Sequence, residues 1–529
     1  MKTPKKINIL TVCMLLLFTS CNDILDSDPQ DFLSPDLYYS NKKEMESGLT
    51  GIYATLCSGN LYGNYMLGRL GLDADQGYNR NSNDGNTVGD YNVSAGDVKI
   101  EKFWQTLYIG INRANMLLEN IDKPQDLTDD ERNAIKGEAL FLRAYFYFLL
   151  VTNYKDVPLI LSTINTASGI AHQIPRTPAK DVYEKILADM EEAELLVKDI
   201  SEINHGGRVS KSAVWGILSR VCLHMAGNPV QDKSKFVDAR KWSLKVIENP
   251  VHKLNPDFKQ VFINYAQDIY DIGESIWEVE FYGNGIGTYA SMGGLVGINN
   301  GIYNTRDLEL GYTYSYISCT SYTYQVYDAT DKRRDWSVAP FNYSGLPAVE
   351  NLWAANQLFN RNCGKFRRKY ETLTPKSTSK TPENFPLLRF SDVLLMFAEA
   401  ENEINNGPTA EAYEAINKVR RRGHGLASDQ PSTAVDLNGL DKEAFLLELQ
   451  HERTRELAFE SLRKGDLVRW RIFIQNMKQR LSEANDHADF YDLRFAKRTF
   501  ISVSERDTLW PIPAHEIASN QNLTQNKGW

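Results

Sequence analysis

The chain has 529 residues, 42% of them hydrophobic and 24% charged, with a formal net charge of −9. That acidic balance, with no stripe of interleaved basic and aromatic side chains, argues against a nucleic-acid partner. The length exceeds one simple core, yet Pro, Gly and Ser are spread without a low-complexity linker, so one large composite unit is expected.

At the N-terminus Lys2, Lys5 and Lys6 precede an apolar run from Ile7 to Phe18, which closes on Thr19, Ser20 and Cys21. The run is shorter than the roughly 20 residues that a membrane-spanning helix needs, while the basic start and small-residue end fit a cleaved export signal over residues 1–20. Lipidation of Cys21 would then anchor the mature chain, each buried methylene contributing about 0.8 kcal/mol. Ordinary secretion with Cys21 incidental is the alternative. Residues 21–41 are acidic, contain Ser and Pro, lack periodicity and read as a stalk. The body spans 42–529.

Helical periodicity begins with Trp104, Leu107, Tyr108, Ile111, Ala114, Leu118 and Ile121. A partner follows over Glu131 to Asn153 with Ile135, Ala139, Leu142, Phe146 and Leu149, after a break at Pro124 and an N-cap at Thr128 to Asp130. Val182, Ile186, Met190, Ala193 and Val197 mark a third helix, and Val214, Ile217, Val221 and Met225 a fourth that starts near Ser210. Such pairs are of the tetratricopeptide kind, although no full repeat consensus is present. Between about 268 and 384 the helical period gives way to Gly, Asn and Tyr. It returns with Leu388, Val393, Leu394, Phe397, Ala398 and Ile404, then Ala412, Ile416 and Val419, then Phe445, Leu446, Leu449, Leu457 and Phe459. The expected architecture is all-α: a helical scaffold over 42–267 and 385–529 carrying a loop-rich insertion. Loops on a rigid frame are where binding residues concentrate.

Beyond Cys13 and Cys21, only Cys57, Cys222, Cys319 and Cys363 remain, without metal-ligand spacing. The segment from Asn79 to Asp90 echoes a calcium loop, but glycine comes one place late at Gly85 and the last position is Asp90 rather than Glu, so no metal is expected. There is no P-loop, no H-E-x-x-H pair and no G-x-S-x-G elbow. A glycoside hydrolase with two carboxylates remains a competing reading.

Six strings, in order, resemble the SusD/RagB family: "GEALFLRAYFYFLLVTNYKDVPL" (137–159), "GRVSKSAVWGILSRVCLHMAG" (207–227), "FPLLRFSDVLLMFAEAENEI" (385–404), "INKVRRR" (416–422), "ERTRELAFESLRKGDLVRW" (452–470) and "LWPIPAHEIASNQNLTQNKGW" (509–529). Lys155 and Ser461 stand where the family often has glycine. The resemblance implies a lipoprotein on the outer face of a Bacteroidetes-type outer membrane, without catalysis or cofactor. It would capture oligosaccharide, or peptide as in some relatives, and lid a SusC-like TonB-dependent transporter. A transporter lid that binds no small ligand independently is the further alternative. Arg143, Arg389, Glu399, Glu452, Arg453, Glu456, Glu460, Arg463 and Asp466 in these strings are expected to join packed helices as ion pairs.

Two irregular stretches are candidate ligand sites. In the first, Asp75, Tyr78, Asn79, Arg80 and Tyr91 occupy the place where the resemblance implies ligand contacts after the first helix. In the second, tyrosine and glycine are denser than elsewhere in the chain. A pyranose presents C–H bonds on one face and hydroxyls at its edge, so a site needs flat aromatic rings with polar groups at the rim. Tyr289, Tyr303, Tyr312, Tyr314 and Tyr316 are the preferred group, followed by Trp336 and Trp353. The competing structural reading is that Asn and Asp satisfy turns and that tyrosines fill a loop-rich core.

Overall fold

A computed structural model describes residues 38–80, 87–163, 173–287, 293–487 and 493–529. The signal, Cys21, the centre of the calcium-like segment and Tyr289 lie outside the described residues.

Helix α1 (Lys42–Leu56) starts where Asn41 accepts the backbone N–H of Glu44, and α2 (Val98–Glu119) where Asp97 accepts from Lys99 and Ile100. Helix α3 (Asp129–Tyr154) opens with a reciprocal Thr128/Glu131 capping box. It is buried nearly all round, so polar residues such as Glu138 and Arg143 are enclosed with its apolar stripe. The approach of α2 to α3 depends on Gly110, because a Cβ there would fall 2.5 Å from the Phe146 ring. Arg143 fixes three helices together, donating to Asn115 of α2 at 3.0 Å and pairing at 2.8 Å with Asp189 of α4 (Ala179–Leu196).

The row continues through α5 (Lys211–Ala226) and α6 (Lys235–Ile247), each packed on its predecessor. After α7 (Phe258–Gln267) the chain leaves for the loop-rich region. The next long helix, α8 (Phe390–Ile404), returns to pack on α6 and is followed by α9 (Ala410–Gly423) and α10 (Lys442–Leu457), which both pack on α8. The fold is therefore helix-dominated, built from adjoining helical pairs. Shorter helices α11 (Arg463–Arg469), α12 (Phe473–Asp486) and α13 (Leu493–Ile501) complete it.

Strands are few and pair as two-stranded antiparallel ladders. Strands β2 (Ser275–Val279) and β6 (Phe385–Arg389) pair from Ser275↔Arg389 to Val279↔Phe385, so the loop-rich excursion leaves and returns at one neck. Strands β1 (Gly77–Asn79) and β3 (Ile317–Cys319) tie the first irregular stretch to the second. Strands β4 (Phe341–Gly345) and β5 (Ala348–Leu352) form a hairpin on the loop side.

Behind the neck lies a buried ion network. Arg389 reaches Glu274 (3.0 Å), Glu456 (2.7 Å) and Glu460 (2.8 Å), while Arg333 reaches Asp331, Glu452 and Glu456 and Arg422 also reaches Glu456. Arg453 bridges Asp392 and Asp466, and Arg469 pairs with Glu399. The Glu- and Arg-rich strings thus serve as internal struts, because buried charges persist only when paired and hydrogen-bonded. The C-terminal tail packs on the body: Trp510 stands edge-on to Phe103 at 5.2 Å, and Asn526 donates to the carbonyls of Tyr154 and Trp510. Cys57, Cys222, Cys319 and Cys363 are free thiols.

Candidate functional site

The β1–β3 ladder brings the two predicted stretches side by side, but it divides their side chains into enclosed and exposed sets. Asp75 is fully enclosed, and both its oxygens accept from Arg463 at 2.7 and 2.9 Å, with Asn476 adding a third bond at 2.9 Å. Burial alone would raise its pKa, but Arg463 outweighs burial and holds the carboxyl below its ordinary value. Tyr78 is buried and donates to the Phe359 carbonyl at 2.7 Å, and buried Tyr91 donates to the Gly71 carbonyl at 2.5 Å. Asn79 donates to the Tyr316 hydroxyl at 3.1 Å, and the Tyr316 ring lies under the Arg69 guanidinium, 4.2 Å away. Trp336 is buried with its indole N–H on the Lys365 carbonyl and Arg367 stacked at 3.9 Å. These six side chains face inward. Arg80 is partly buried, its backbone N–H tied to the Tyr316 carbonyl, and Trp353 is likewise partly buried.

Tyr303 and Tyr314 face solvent, and Tyr312 is partly buried beside them. Tyr303 is 41% exposed and Tyr314 53%, far above the few per cent of the enclosed group. The isolated bridge between Asn304 and Thr313 sets Tyr303 across from Tyr314. The rings of Tyr312 and Tyr314 meet edge-on, 4.9 Å apart at 89°. Partial burial and the neighbouring Tyr314 and Tyr303 phenols push the Tyr312 phenol above its ordinary pKa.

The backbone beneath these rings is fixed by side chains that the sequence reading did not single out. The Asn304 amide donates to the carbonyls of Asp307 (2.6 Å) and Gly311 (2.9 Å). The Asp307 carboxylate accepts from the backbone of Glu309, Leu310 and Ala348, bonds that hold its pKa below the ordinary value and attach the loop to β5. Arg368, buried and paired with Glu371, donates to the Tyr312 carbonyl at 2.6 Å. Gly311, at φ +97°, lets the turn lie on Arg368, whose Cβ is 2.6 Å from where a side chain would begin. The Asn304-x-x-Asp307 spacing is a local turn signal that could have been found in sequence. Arg368 arrives through the fold from 56 residues beyond Tyr312 and carries no local signal. The result is a rigid aromatic platform flanked by Thr305 and exposed Arg306.

A profile of the SusD family matches residues 318–529, and one described as starch-binding and associating with outer membrane matches residues 25–223. "SusD-like protein P2" of Formosa agariphila is 26% identical over 536 residues, covering 99% of each chain. The chain belongs to the SusD/RagB family. The crystal structure of a SusD homolog from Bacteroides thetaiotaomicron superposes with a TM-score of 0.84 at 28% identity, covering 94% of this chain and 98% of that one. "Starch-binding protein SusD" of the same species is 22% identical over 456 residues, 77% of this chain and 75% of that protein. The all-helical scaffold with tetratricopeptide-like pairs is thus the SusD fold. Among the described residues no helix is long and apolar enough to cross a membrane.

Proposed function

We propose that this SusD-family chain is a surface glycan-binding lipoprotein, held at the outer membrane by acyl chains on Cys21, which captures oligosaccharide and delivers it to a SusC-like TonB-dependent transporter. The observation that carries the binding step is the platform of Tyr303, Tyr312 and Tyr314. Two exposed rings and a partly buried third, on a fixed backbone, offer stacking faces to the C–H side of a sugar, and their hydroxyls with Thr305 and Arg306 offer the polar rim. Glycan as the ligand is supported by the starch-binding description of the matched profile and by the named starch-binding relative. The enclosed Asp75, Tyr78, Asn79, Tyr91, Tyr316 and Trp336 are assigned to supporting the loops, with Arg80 at their edge. The chain acts by binding rather than by catalysis, its motif carboxylates being committed to buried arginines.

The test is calorimetric titration of the full chain in detergent against a panel of neutral oligosaccharides and peptides, repeated with Tyr303→Ala and Tyr314→Ala. One glycan class should give saturable heat, and each substitution should weaken it roughly fivefold, one stacked ring's worth. Binding that survives both substitutions, or a panel answered only by peptides, would remove the glycan platform from consideration.

A further inference from the structure

A groove lies where α1 from Glu46 to its C-terminal end, the 205–208 segment and the end of β2 meet, with a volume of about 490 Å³. A hollow of about 280 Å³ extends it towards α3, and Glu46, His205 and Arg208 line both. None of the lining residues belongs to the tyrosine platform. Its floor is apolar, with Leu49, Leu56 and Val279 buried beneath it. Its walls carry Glu46, Glu278 and Glu280.

The positive charge at hand is already engaged. Arg208 grips Glu138 through two bonds of 3.0 and 2.5 Å, and the Tyr53 hydroxyl donates to the same carboxylate at 2.5 Å. His205 Nδ1 meets Glu280 Oε1 at 3.2 Å, and Lys198 lines only the extension. Glu278 and Glu280 lie against the Gly206–Gly207 turn nonetheless. The Asn384 amide bridges Glu278 (3.1 Å) and Asp268 (3.2 Å), while Gly207 lacks the Cβ that would stand 1.9 Å from Glu280 Oε1. Burial, reinforced by Glu280 and Asp268, raises the Glu278 carboxyl to about 7. Tyr270, 42% exposed, sets its ring 5.3 Å from that of His205 at the margin.

A volume of this size suits a small molecule, and a surplus of carboxylate over cation attracts positive charge. Among the described residues no group of three His, Cys, Asp or Glu could hold a metal ion, which favours an organic cation. An apolar floor below acidic walls matches the build of a long amine, whose methylene stem prefers apolar contact while its head stays with polar partners. We propose that this groove binds a small organic cation, a primary amine or guanidinium on an aliphatic stem, with the stem over Leu49, Leu56 and Val279 and the charge against Glu46 and Glu280.

The experiment titrates the full chain in non-ionic detergent with Nα-acetyl-lysine amide and with Nα-acetyl-norleucine amide, which keeps the stem and lacks the amine. The lysine compound is expected to bind in the millimolar range or tighter and the norleucine compound roughly tenfold more weakly. Glu46→Gln and Glu280→Gln should each weaken the lysine compound about threefold or more without shifting thermal unfolding, since both side chains reach solvent. Tyr314→Ala should leave it unchanged, which separates the groove from the glycan platform. Equal binding of the two compounds, no heat from either up to about 10 mM, or an affinity unmoved by both glutamine variants would overturn the proposal.

Discussion

Lys155 and Ser461 hold backbone conformations that glycine adopts at little cost. Lys155 sits at φ 67°, ψ −107° just beyond the end of α3, and Ser461 at φ 63° between α10 and α11. They are the two positions where the sequence departs from a glycine common in its family, so the departure that was visible in sequence has a backbone consequence. Ser461 is partly compensated, because its hydroxyl donates to the Met66 carbonyl at 2.6 Å. Lys155 is tied instead through its backbone, the N–H donating to the Val151 carbonyl. Lys155→Gly should therefore stabilise the fold by about 1 kcal/mol, whereas Ser461→Gly should gain less. Urea unfolding of both variants decides this, and a destabilised Lys155→Gly would refute the strain argument.

Helices α2 to α5 and α8 to α10 were legible because their apolar residues recur at helical spacing, and the caps at Thr128 and Ser210 were readable beside them. The inner face of the loop-rich region was not legible. Its tyrosines follow no period, so nothing local tells Tyr316, enclosed under Arg69, from Tyr314, exposed two residues earlier. Asp75 likewise resembles a loop ligand until Arg463, 388 residues later, is seen to claim it. The ion network behind the neck was foreseeable as to residue type, but its wiring depends on tertiary pairing. Glu452 shows what that wiring does: burial would raise its pKa, yet Arg333, Arg455 and Arg420 bring it from 4.5 to about 2. A carboxyl depressed on folding contributes stability that is complete above pH 4.5 and is lost as pH falls through about 2. That amounts to roughly 3 kcal/mol for the wild type, so Glu452→Gln should unfold more easily at pH 7 and show a flatter loss between pH 4.5 and 2. Parallel acid curves for the two proteins would show that Glu452 is not the titrating strut. Arg389→Ala, which strands several carboxylates at once, should cost about 3–5 kcal/mol at neutral pH.

At the scale of the whole molecule, the N-terminal and C-terminal halves are interlocked rather than merely adjacent. Asp75 is held by Arg463, α6 is packed by α8, and the tail from Trp510 to Asn526 closes on Phe103 and Tyr154 of α2 and α3. The tyrosine platform hangs from the β2–β6 neck on loops whose inner side chains, Tyr316, Ile317, Trp336 and Phe366 among them, join the main core, while Tyr303 and Tyr314 stay outside it. Stability and capture should therefore separate experimentally. Far-UV circular dichroism and tryptophan fluorescence should report a single coincident thermal transition for the full chain, because indoles on both sides, Trp104 and Trp242 in one half and Trp277 and Trp510 in the other, lie in connected packing. Deleting residues 510–529 should lower that transition as a unit, while Tyr303→Ala and Tyr314→Ala should leave it in place and reduce only glycan affinity. Affinity itself should be modest: a few stacked rings at about 1 kcal/mol each, with several hydrogen bonds of similar net value, reach the millimolar to micromolar range. A ligand passed on to a transporter has to be released, so this range suits delivery. Two resolved thermal transitions would mean that the halves fold independently, and a platform substitution that shifted the transition would mean that the tyrosines belong to the core after all.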